Sequence, residues 1–82
     1  MRVNLNTKTP EQRRAWGKIN QLATTMLFVT DRAELFDIFC KAEDLYNDFF
    51  PFEASIDGDN WWVTRRFNII DRSLAILESE RR

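Results

Sequence analysis

Histidine is absent from these 82 residues and cysteine occurs once, at Cys40. A thiol nucleophile normally works beside a base such as imidazole, and a lone cysteine has no partner in its own chain for a disulfide. Cys40 therefore reads as a small, inert core thiol in a protein of the reducing cytosol. Glycine and proline are scarce too, with two of each. That excludes a Gly-rich phosphate loop and argues against a many-turned β fold. Long apolar runs are also missing. No aliphatic or aromatic stretch exceeds four residues, as in Met26-Leu27-Phe28-Val29, against the roughly 20 residues that a membrane helix needs. The first residues, Met1 to Asn6, contain no apolar h-region, which predicts a chain neither exported by a standard signal peptide nor membrane-spanning.

What remains is enough for one modest core. The chain is 44% hydrophobic, with seven Phe and three Trp, which is more than a disordered chain carries. One helical domain over residues 1–82 is the expectation, with residues 1–8 flexible or extended and residues 80–82 frayed.

Three helix patterns follow in order. Thr9-Pro10-Glu11-Gln12 has a cap, a proline at the first helical position and a Gln three residues after the cap. It predicts a helix over about 10–29, with Trp16, Ile19, Ala23 and Met26 along one face. Asp31-Arg32-Ala33-Glu34 repeats the start signal for a helix over 32–49. Its Leu35, Ile38, Ala42, Leu45 and Phe49 alternate steps of three and four, and the broad sector completed by Phe36, Phe39 and Tyr46 makes it the central element. Pro51 ends it. A third helix over about 60–79, capped by Asp59 or Asn60, carries Val63, Phe67, Ile70, Leu74 and Leu77 inward, with Trp62, Ile69 and Ile76 recurring by seven along an adjoining edge. Such elements imply an all-α fold, a small three-helix bundle or open helical array.

Five of the eleven aromatic residues fall between positions 49 and 62, around a stretch expected to be an aromatic and acidic loop over 51–60. Rings gathered around a loop either plug the end of a small core or stay exposed as anchors for a partner. Trp62 shares an edge with Ile69 and Ile76, which points it at the core. Trp61, turned by about 100° from it on a helix, is the preferred exposed anchor. Phe49 and Phe50 cannot both face one core from one helix.

Near-neutral net charge hides a segregation. Residues 1–20 carry five basic and one acidic side chain, residues 31–60 two and nine, and residues 61–82 five and three. The acids Glu34, Asp37, Asp44 and Asp48 form a row opposite the apolar stripe of the second helix, which is either a solvated face or a binding surface. Four or five carboxylates over about 21 Å are sparse beside duplex DNA, which carries a charge about every 1.7 Å, so electrostatic docking ranks above DNA mimicry. Nucleic-acid binding through Arg13, Arg14 and Lys18, or through Arg65, Arg66 and Arg72, runs against a sequence pI of about 5.3. Salt bridges to the acidic second helix would occupy the same arginines.

No catalytic, cofactor or metal signature emerges. A calcium-loop template begun at Glu53 places Asp57 and Gly58 suitably but ends on Thr64 instead of a bidentate Glu. The composition therefore points to a non-enzymatic, cytoplasmic protein-interaction module: an adaptor, regulator or stoichiometric inhibitor of another protein, of a size that suits phage or mobile-element regulators. Its expected surface has Phe50, Phe52 and Trp61 as apolar anchors and Asp48, Glu53, Asp57 and Asp59 as an acidic rim favouring a basic protein. The alternatives are a homodimer built on the second helix and a nucleic-acid-binding or DNA-mimic protein.

Overall fold

The computed structural model describes residues 3–57 and 61–81, and all regular structure among them is helical. The protein is a small all-α array of four helices: α1 (Pro10–Thr25), α2 (Arg32–Phe49), α3 (Pro51–Asp57) and α4 (Trp62–Glu80). Two 3-10 turns, Leu5–Thr7 and Met26–Phe28, flank α1.

The start of α1 forms as its sequence dictates. Thr9 is extended, its hydroxyl accepts from the Gln12 backbone N–H at 3.2 Å, and the Gln12 side chain accepts from the Thr9 N–H at 2.9 Å. Together these satisfy two of the donors that every helix N-terminus leaves open. The helix stops at Thr25, short of the expected 29, because the chain tightens into the 3-10 turn that carries Met26 into the core and then extends at Val29. At α2 the Asp31 carboxylate accepts from the Ala33 N–H, and the helix ends at Phe49, before Pro51.

α2 is the central element, lying against both α1 and α4. α1 presents Ala15, Ile19 and Ala23, the 3-10 turn after it adds Met26, and α2 presents Leu35, Ile38, Ala42 and Tyr46, all buried. Three alanines in this set permit close approach of the two backbones. Ile19, Met26, Leu35 and Val63 are wholly buried, and each such side chain stabilises by about 1.5–3 kcal/mol relative to exposure. α4 runs antiparallel to α2: Trp61 meets Tyr46, Phe67 stacks on Phe39 with centroids 4.4 Å apart, and Asp71 pairs with Arg32. α1 and α4 meet through Trp16 and Trp62, and through Arg66, which donates to the Ala23 carbonyl at 3.1 Å.

Two expectations are corrected here. The stretch expected as a loop over 51–60 begins with a helix, α3, because Pro51 has two roles. It cannot continue α2, yet its fixed φ suits the first position of a new helix, where the Phe50 carbonyl accepts from the Ala54 N–H at 2.9 Å. The segment expected to be flexible or extended before residue 9 contains a 3-10 turn. Asn4 caps it, and the Arg13 side chain holds it by donating to the Leu5 carbonyl at 3.0 Å.

The molecule is elongated, with extents of 50 × 21 × 16 Å and a radius of gyration of 14.0 Å. A compact chain of this length would have about 12 Å. At one end, Arg32, the first residue of α2, reaches Asp71 and Glu78 in the C-terminal part of α4.

Candidate functional site

The end of the molecule where α2 finishes is built around rings. Trp61 precedes α4 with an extended backbone and stacks on Tyr46 at 3.9 Å between centroids. Phe50, where the backbone leaves helical geometry, drops fully into the core between Tyr46 and Trp16. Neither is an exposed anchor. The expectation for Trp61 assumed a helix beginning at 60, which would have fixed its direction relative to Trp62. As the residue before the helix, Trp61 is free of that phase and turns inward. Trp62, expected in the core, is half-buried, packed edge-on against Trp16 and under the Arg66 guanidinium.

Glu53, expected on an acidic rim, is 5% exposed and ion-paired with Lys8, whose ammonium also lies 5.8 Å from the Phe50 ring centroid. This pair joins the chain before α1 to α3. Asp48 is exposed on the last turn of α2, and Phe52 is 67% exposed on α3. Asp59 lies outside the described residues, as does the side chain of Asp57. The anticipated site is therefore divided: Phe50, Glu53 and Trp61 hold the fold, while Asp48 and Phe52 face solvent.

Beside Phe52, one turn further along α3, Ile56 is also exposed, at 53%. α3 thus turns its one charged side chain of the first turn inward and two large apolar side chains outward, the reverse of an ordinary surface helix. Sequence reasoning missed Ile56 because the stretch lacked a helical expectation. Placed at four residues from Phe52, it is legible once Pro51 is taken as a helix start.

A second apolar region lies elsewhere. Leu27 and Phe28, in the 3-10 turn after α1, and Ile69, Ile76 and Leu77 on α4 are all about half exposed or more. Ile69 and Ile76 thus mark an outer edge of α4, joined by Leu77, which was expected to face inward, while Trp62 at the start of that series packs against the core with Val63, Phe67, Ile70 and Leu74.

The charges are partly committed inside the fold. Arg32 forks onto Asp71 through Nε and Nη2 at 2.9 and 3.2 Å. This cross-link between α2 and α4 has its base on α2 and its acids on α4, the reverse of the expected polarity. The Arg32 hydrogen bond holds the Asp71 carboxyl below the ordinary carboxylate range. Cys40 is half-buried; burial first, then Glu43, Asp44 and Asp37, push its thiol up, away from the reactive thiolate. Among the described residues, no group of three or more His, Cys, Asp or Glu side chains could hold a metal ion, and no helix is long and apolar enough to cross a membrane.

No protein-family model matches the chain, and neither a curated protein nor a solved structure matches it.

Proposed function

We propose that this chain is a non-enzymatic protein-interaction module whose partner-binding surface is α3. The observation that carries this reading is the inverted polarity of that helix: Glu53 is buried against Lys8, while Phe52 and Ile56 stand in solvent. A seven-residue helix gains little from exposing two large apolar side chains unless something covers them, and such side chains make effective anchors. Asp48 is exposed at the neighbouring end of α2, in a segment where acids outnumber bases by nine to two. This favours a partner that brings an apolar pocket with basic residues around it, charge steering the encounter and the rings holding it.

The nucleic-acid alternative has less support. Of the basic side chains that it would use, Arg13 donates to the Leu5 carbonyl and Arg66 to the Ala23 carbonyl.

The test is affinity capture from a lysate of the cells that make the protein, at low and moderate salt. Wild type is compared with Phe52→Ser/Ile56→Ser, a variant that circular dichroism first shows to be helical and stable. The expected outcome is a protein retained by the wild type, lost with the variant and weakened by salt. Equal retention by both, or retention of nothing by the wild type, would overturn the proposal.

A further inference from the structure

Among the described residues, none covers the outer edge of α4 at Ile69 and Ile76. Ile69 and Ile76 are 67% and 53% exposed, and Leu77 beside Ile76 is 49% exposed. Beside Ile69, an open groove of about 370 Å³ is lined by Leu27, Trp62, Arg65, Arg66 and Ile70. Large apolar side chains standing one above another on a helix edge, as Ile69 and Ile76 do, call for an apolar neighbour.

We infer that this edge is a self-association surface, on which α4 pairs antiparallel with α4 of a second copy about a two-fold axis. The occupant is chosen by the order of residues along the edge. Setting Ile69 against the second copy's Ile76 places the axis between Arg72 and Ser73. Arg65 lies four residues before Ile69, and Glu80 four residues after Ile76. The same register therefore brings Arg65 opposite the second copy's Glu80, and symmetry makes that ion pair twice. Ile69 with Ile76, and Arg65 with Glu80, thus match their own reverse, as an isologous interface requires, while Arg72 next to the axis meets its own copy. Ile76 and Leu77 of each copy approach the groove beside Leu27 of the other. The two Arg72 side chains flank the axis on its outer side, where their length keeps the guanidinium groups in water.

This surface is separate from α3, which lies where α2 ends, whereas Ile76 lies where α2 begins. The dimer needs no partner protein, so its test and that of the α3 surface can fail independently.

Sedimentation equilibrium of the purified full chain decides the matter. A reversible rise from the 9.8 kDa chain mass to twice that value is expected, in the micromolar range typical of a small interface. Ile69→Glu/Ile76→Glu should leave a helical monomer, while Phe52→Ser should associate as the wild type does. Arg65→Glu and Glu80→Arg should each weaken association by about tenfold, since each substitution replaces two attractions by two repulsions, and combining them should restore it. A wild type that stays monomeric to about 1 mM, association unaffected by the isoleucine substitutions, growth beyond the dimer, or a charge swap that fails to restore would each overturn the proposal. The charge swap keeps the test decisive should the isoleucine variant lose its helicity.

Discussion

Trp61 lies flat on Tyr46, with ring centroids 3.9 Å apart, planes 11° from parallel and both residues 2% exposed. The stack fastens the entry of α4 to the last turns of α2. Trp61→Ala is expected to lower the unfolding free energy by about 3–5 kcal/mol, as large-to-small changes at buried aromatics do. Trp61→Phe should lose far less. Urea denaturation followed by circular dichroism checks both, and a stable Trp61→Ala protein would show that the ring is not structural.

The Lys8–Glu53 pair makes a prediction in two stages. Removing one member leaves the other charge unpaired where little water reaches it, which costs about 3–5 kcal/mol for a fully buried pair. Lys8 keeps 19% of its side chain in solvent, so Glu53→Leu alone should fall at or below the lower end. Lys8→Met/Glu53→Leu should recover most of that loss, because neither charge then needs a partner. With the Lys8→Met single variant added, the four unfolding free energies isolate the coupling.

Acid sensitivity should depend on Asp71. Its folded pKa is depressed by the Arg32 hydrogen bond below the unfolded value of 3.8. The associated stabilisation is thus fully present above about pH 4 and is lost as pH falls through the lowered folded value. Melting temperatures of the wild type and Asp71→Asn, measured from pH 5 to pH 2, should differ at the upper end and converge at the lower. Parallel curves would remove the carboxylate from that role.

Gly17 is exposed within α1, and a methyl group added there meets no atom within 4 Å. Gly17→Ala should stabilise the protein by about 0.5–1 kcal/mol, since glycine has the greater backbone freedom to lose on folding. Thermal melts provide the check.

The helical fold was legible in the sequence because its signals are local. The start at Asp31 and the stop before Pro51 bracket α2 at Arg32–Phe49, as the pattern predicts. The cap box at Thr9 forms as written. What escaped was of two kinds. Trp61, Phe50 and α3 sit at junctions, where a single residue of phase decides which way a side chain points and where Pro51 serves as both stop and start. Glu53 owes its burial to Lys8, 45 residues away, and Arg32 finds Asp71 across 39. No local periodicity encodes such pairs. Of the expected surface, Phe52 and Asp48 face solvent, while Phe50 and Trp61 went to the core and Glu53 to its pair with Lys8.

Gln12 shows how narrowly a single side chain can be specified. Its oxygen closes the cap of α1 by accepting from Thr9, and its amide nitrogen donates to the Phe49 carbonyl at 2.8 Å, one of the acceptors left open at the end of α2. Glutamate, equally suited to the cap, would turn a second oxygen toward that carbonyl and repel it. An amide alone has both faces, so the first turn of one helix and the last turn of another are riveted by the same planar group and loosen together.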